Sequence, residues 1–229
     1  MTTLFEQTEK TFLAGLPTER FGGRIVVVQS ENEAGRAVEA LCREKSVGID
    51  TETRPSFRRG VEHNVALLQV STSDICFLFR LNLMGLPQSL VDFLCSPATQ
   101  KIGLSLKDDF HRLHRLTPFK EQACVDLQTI AAAMGIRDMS LQKLYANVFR
   151  KRISKSAQLS NWEADVLSEK QLYYAATDAY TCLRLYERLD ALRRTGDYRI
   201  LRAPTSCAAP DSAQQAAPGG PKPKKSRKE

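Results

Sequence analysis

The sequence predicts an α/β domain, a mixed β-sheet flanked by helices, and three observations predict it. Short β-branched apolar runs, the mark of buried strands, crowd the first half of the chain. Two of them flank Thr72-Ser73-Asp74, a hairpin signal. The second half is mostly helical in pattern and ends on one long helix, Ser168 to about Arg194. Strands first and helices after suit helices packed on a sheet.

In order, residues 1–22 read as an irregular lead-in with a short helix around Leu4–Leu13. Arg24–Gln29 is β-branched and apolar, a buried strand. Ser30 or Asn32 caps the next helix, where Ala34, Ala37, Val38, Leu41 and Cys42 recur at helical spacing. Val47–Thr53 is a strand that Pro55 ends, and Arg54–Glu62 is a basic loop carrying Arg54, Arg58 and Arg59. Val65–Ser71 and Ile75–Arg80 form the hairpin. Pro87–Leu94 is a short helix, and the strand Gln100–Leu106 runs into a helix starting near Lys107. Cys124–Asp126 is a short strand end, followed by a helix over Leu127–Met134 that stops at Gly135. Ser140 caps Leu141–Val148, and Lys151–Asn161 is polar, basic and aperiodic. Ser168 and Gln171 make a capping box for the long helix, with Gly196 just past its end. Beyond Tyr198 the composition turns to Ala, Pro, Gly, Ser and Gln, then to Lys and Arg, which cannot build a core. The expected organisation is a lead-in at 1–22, a single domain at 23–198 and a disordered basic tail at 199–229.

The formal net charge is +7, with a pI near 9.2, which suits a polyanionic partner such as nucleic acid. From Ala203 onward five basic residues face two acids, so +3 of the excess belongs to the tail and +4 to the rest. The six cysteines form no C-x-x-C pair and read as reduced thiols in a cytoplasmic setting. The histidines do not cluster with them, which argues against zinc. No apolar run reaches a membrane span, so no membrane partner is expected. Met1–Phe12 lacks a signal-peptide core.

The carboxylates carry the chemistry. Asp50 and Glu52 are separated by one residue in a strand, so both point to one face. Side by side they repel, and a divalent cation between them relieves the repulsion through hard oxygen ligands. Two solvated acids at a strand end fit the same pattern. Tyr174 and Asp178, four apart on the long helix, share a face lined by small residues. Asp108 and Asp109 open a helix, where an acid also complements the macrodipole. Asp109 stands four before Leu113, whereas Asp126 stands where an N-cap belongs.

Taken in chain order, these motifs resemble the DEDDy group of 3′–5′ exonucleases, such as ribonuclease D and the Werner-type exonuclease domain. The first is Gly48-Ile49-Asp50-Thr51-Glu52-Thr53, followed by Arg54-Pro55 and Leu67-Leu68-Gln69. The second spans Gly103 to Leu113, and the third is Tyr174-x-x-x-Asp178 behind Ser160-Asn161-Trp162. The resemblance covers about residues 24–192 and implies a ribonuclease H-like fold, a five-stranded mixed sheet with helices on both faces. It implies metal-dependent hydrolysis at the 3′ end of single-stranded RNA or DNA, releasing nucleoside monophosphates. The implied cofactors are two divalent cations, Mg²⁺ or Mn²⁺, roughly 4 Å apart. Asp50, Glu52, Asp109 and Asp178 are the implied metal ligands, and Tyr174 completes the catalytic set. Asp109 keeps the D-x-x-x-L spacing, with Asp108 the alternative one residue away.

Substrate contacts rest on weaker signals. Arg54 and Lys155 are the candidates for phosphate, with a solvated basic loop as the alternative for each. Phe57 and Leu68 read as ordinary core or loop packing residues, with a wedge beside the terminal base as the alternative, and Trp162 as a structural anchor rather than a stacking platform. A non-catalytic nucleic-acid-binding module on the same fold is the competing function. The sequence fixes neither oligomeric state nor the choice between RNA and DNA.

Overall fold

Apolar strands and amphipathic helices assemble much as their patterns require. The computed structural model describes residues 1–202. The first half contains β1 (Thr2–Phe5), α1 (Lys10–Ala14), β2 (Arg24–Val28), α2 (Glu31–Leu41), β3 (Ser46–Thr53), β4 (Val65–Ser71), β5 (Ile75–Phe79), α3 (Leu81–Met84) and α4 (Gln88–Cys95). There follow β6 (Gln100–Gly103), α5 (Leu106–Leu113), β7 (Cys124–Asp126), α6 (Leu127–Ala133), α7 (Leu141–Phe149), α8 (Glu169–Thr195) and β8 (Tyr198–Leu201).

The main sheet runs β2-β5-β4-β3-β6-β7. The β4–β5 hairpin and the β3–β4 pair are antiparallel; β2–β5, β3–β6 and β6–β7 are parallel. Strand β4 is buried along its whole length because both faces are covered. One face packs Val47, Ile49, Phe79, Phe93 and Phe110 under α2, α4 and α5. The other lies under α8, with Leu67, Leu78, Trp162, Ala175 and Ala176. Ala175, Ala176 and Ala179 are fully buried, and so much small side chain lets α8 lie close on β3. The closest approach is at Gly48, where an added Cβ would run into the Ala179 carbonyl. Both ends of α8 follow the sequence: Ser168 and Gln171 form the capping box, and Gly196 closes it at φ 67.

Four expectations need correction. The main sheet has six strands rather than five, because three-residue β7 adds to the edge of β6. The strand expected over Gln100–Leu106 ends at Gly103, since Ser105 turns the chain through φ 62 and α5 begins at Leu106. The lead-in 1–22 is not irregular throughout, because β1 pairs in parallel with β8. Residues 199–201 therefore belong to the fold rather than to the tail; the remainder of the expected tail, from 203 onward, lies outside the described residues. Buried Asn147 on α7 acts as a further partner for β1, donating to the Phe5 carbonyl at 2.7 Å and accepting from its N–H at 2.8 Å. No described helix is long and apolar enough to cross a membrane.

Asp126 does more than cap α6. One carboxylate oxygen accepts from Gln128 N–H at 2.8 Å and the other from Leu106 N–H at 2.9 Å, so a single side chain ties the starts of α5 and α6 together. Losing a cap and a second charge-assisted bond should cost about 2 kcal/mol. Asp126→Ala is accordingly expected to lower the denaturant midpoint at an unchanged slope.

Candidate active site

The site forms where β3 ends and α8 crosses it. Gly48, Asp50 and Glu52 share the face of β3 that α8 covers, by strand alternation. A register shift at Glu52/Thr53 ends regular pairing with β4, as bulges often do beside functional side chains. On α8, Tyr174, Asp178 and Cys182 recur every fourth residue and face the same cleft. The missing Cβ of Gly48 sets the spacing between these two elements, and so between their acids.

Asp50, Glu52 and Asp178 offer carboxylate oxygens that all lie within 4.8 Å of one another. Glu52 is 9% and Asp178 6% exposed. Burial holds the Asp50 carboxyl well above the usual carboxylate range, and the charges of Asp109, Asp178 and Glu52 push it the same way. Burial likewise raises Glu52, to about 9, helped by Asp178 and Asp109 and opposed by Arg112. Asp178 is raised by burial, with the Tyr174 phenol pulling it back. Gln69 stands directly opposite Asp50 on β4, so their side chains share a face. It is fully buried, and neither of its amide atoms finds a partner among the described residues. A cation and its water would relieve both the acids and this amide.

Asp109 stands just outside the trio. It accepts from the Thr51 hydroxyl at 2.5 Å and acts electrostatically on both Asp50 and Glu52. Its own carboxyl is raised by burial, against the Thr51 bond and Arg112. Asp108 is exposed at the same helix start, so the geometry favours the Asp109 register. Asp109→Asn is expected to reduce turnover at least about a hundredfold, from the several kcal/mol that metal-site electrostatics supply. Asp108→Asn should stay within about twofold; steady-state kinetics on both variants checks the register.

Tyr174 lines the acid cleft, and its ring lies 6.0 Å from that of fully buried Trp162. Burial and the nearby acids raise the phenol above its ordinary range. Exposed Lys155 lines the same cleft of about 250 Å³. Arg54 does not. Its guanidinium donates to Glu163 at 3.1 Å, and it lines a neighbouring cleft. Sequence reading missed Thr51, Arg112, Gln69 and Cys182. Arg112, three after Asp109, and Cys182, four after Asp178, were legible from helical spacing. Thr51 was not, since strand alternation aims it away from its neighbours.

Fold and acids together define a nuclease domain, and the chain belongs to the 3′–5′ exonuclease family, whose profile matches residues 25–192. A 3′–5′ exonuclease of Arabidopsis thaliana is 33% identical over 192 residues, covering 77% of this chain and 67% of that one. The bifunctional 3′–5′ exonuclease/ATP-dependent helicase WRN of Mus musculus is 32% identical over 79% of this chain, which spans 14% of that protein. The Nibbler EXO domain of Aedes aegypti shares the fold, with a TM-score of 0.69 at 21% identity, covering 76% of this chain and 91% of that domain.

Proposed function

We propose that the chain is a DEDDy-type exonuclease that removes nucleoside monophosphates from single-stranded 3′ ends by two-metal-ion hydrolysis. The observation that carries this reading is the convergence of Asp50, Glu52 and Asp178, from β3 and α8, beside Tyr174. All-carboxylate oxygen donors fit Mg²⁺ or Mn²⁺ rather than a softer ion. When bound, two such ions stabilise the charge on the entering and leaving oxygens of the phosphodiester.

The protein's own groups have distinct tasks in this account. Asp50, Glu52 and Asp178 would hold the cations through their carboxylate oxygens, and Asp109, just outside the trio, would support them. Burial and the acids raise the Tyr174 phenol above its ordinary range. In this reading it orients the attacking water by hydrogen bonding, and Trp162 lies beside its ring. Lys155 at the rim meets a substrate phosphate. Water bonds to phosphorus, the P–O3′ bond breaks, and the shortened strand regains a free 3′ hydroxyl.

The test is a 3′-labelled oligonucleotide, as RNA and as DNA, incubated with Mg²⁺, Mn²⁺ or EDTA. Labelled mononucleotide should be the first product with metal, and none should form in EDTA. Internal fragments, or release that ignores EDTA, would overturn the reading.

A further inference from the structure

A second cleft, of opposite charge, adjoins the acid one. It encloses about 460 Å³ between the Arg54–Glu62 loop and α5, and Arg54, His63, His111, Arg112 and Arg115 line it together with one acid, Glu62. Consecutive residues of β3 line the two clefts. Thr53 lines one and Glu52 the other, while His111 and Arg112 follow Asp109 on α5. Arg115 donates to Glu62 at 2.7 Å and Arg54 to Glu163 at 3.1 Å, so two guanidiniums are held in place along the cleft. Arg112 is exposed, and its charge reaches both Glu52 and Asp109.

The loop bounding this cleft carries Phe57, which is 84% exposed. The expectation of ordinary core or loop packing for this ring is therefore corrected, since it stands in solvent. Arg58 and Arg59, both exposed, follow it directly. A bare aromatic among arginines offers what single-stranded nucleic acid uses, a stacking face and fixed positive charge. Phe57 stands five positions after Glu52, so their Cα atoms lie within about 18 Å, a reach of a few nucleotides.

We infer that this cleft and loop bind the substrate strand on the 5′ side of the bond to be cut. Arg54, Arg112 and Arg115 hold its phosphates, and Phe57 stacks on one of its bases. The inference rests on the exonuclease reading, which sets the 3′ end in the acid cleft. Cations held by the acids would offset the charge of the scissile phosphate there, and the arginines supply the counter-charge for the phosphates before it. The occupant is a single strand, because a base stacked on Phe57 must leave its neighbour in the helix.

Metal-free binding separates this inference from catalysis. Fluorescence anisotropy of a labelled single-stranded 12-mer is measured in EDTA across a salt series. Wild-type protein should bind, and Phe57→Ala should weaken binding about tenfold, as loss of one base–aromatic stack does. Arg115→Gln should reduce the slope of log affinity against log salt by about 1. Arg43→Gln, an exposed change just past the C-terminus of α2 and outside the cleft lining, should leave that slope unchanged. No wild-type affinity in EDTA, a Phe57→Ala affinity within about twofold of wild type, or equal effects of Arg43→Gln and Arg115→Gln would overturn the inference. Failure of the exonuclease reading is seen elsewhere, as no mononucleotide released with metal.

Discussion

Replacing Asp50 by Asn is expected to lower metal-dependent mononucleotide release at least about a thousandfold while making the metal-free protein more stable. The loss follows from removing the central carboxylate of a site that lends several kcal/mol to the transition state. The gain follows from the same geometry. Asp50 is held well above the usual carboxylate range by burial and three neighbouring acids, so the fold carries a repulsion that only protons or cations relieve. An amide keeps the shape and needs no proton to be neutral, so the metal-free protein gains stability near neutral pH.

The sign of the pH dependence follows from these raised groups. Between the unfolded carboxylate pKa near 4 and the folded values, up to about 9 for Glu52, the native protein holds more protons than the unfolded chain. Stability from these groups is fully present below about pH 4 and lost as pH rises through that window. Metal-free wild type should therefore melt lower at pH 8 than at pH 5.5, and Asp50→Asn should flatten the decline. Mn²⁺ should restore more stability at pH 8, where fewer protons compete for the carboxylates. Thermal melts in EDTA and in Mn²⁺ at both pH values read all three effects; a wild type that gains stability toward pH 8 in EDTA would contradict this account.

Gly48→Ala should be the most damaging single methyl in the domain. The added carbon meets the Ala179 carbonyl and the Leu183 backbone nitrogen, neither of which can rotate away. Helix α8 must lift off β3, and overpacking of this kind costs about 3 kcal/mol. The shift also carries Asp178 away from Asp50 and Glu52, so activity should fall about a hundredfold even at temperatures where the variant stays folded. Gly35→Ala is the control. It lies in α2 with open space around it, and should stabilise by about 1 kcal/mol. Denaturant melts and turnover numbers for the two variants separate close packing from a general intolerance of glycine replacement.

Local patterns made most of this architecture legible. Ser168 with Gln171 announced the start of α8 and Gly196 its end, because caps are written within a few residues of the helix they bound. The two carboxylates of β3 and the Tyr174–Asp178 pair were visible through strand and helix periodicity, which fixes shared faces without tertiary information. What stayed hidden depends on partners distant in sequence. Strand β1 pairs with β8 across almost the whole described chain, and Asn147 completes its hydrogen bonding from inside a helix. Asp126 read as a local cap, which it is, but its second bond to Leu106 needs the β6–β7 pairing to exist first. Arg54 read as a phosphate contact because it follows the strand that carries Asp50 and Glu52. Its ion pair with Glu163, distant in sequence, holds it in the neighbouring basic cleft.

The claim beneath all of this is that the buried acids at the crossing of β3 and α8 form a cation site. Anomalous diffraction from Mn²⁺-soaked crystals examines that claim at the atoms concerned. A peak bounded by Asp50, Glu52 and Asp178, absent from crystals of Asp50→Asn, is the predicted result. Clear density for the three side chains with no peak between them at millimolar Mn²⁺ would contradict it.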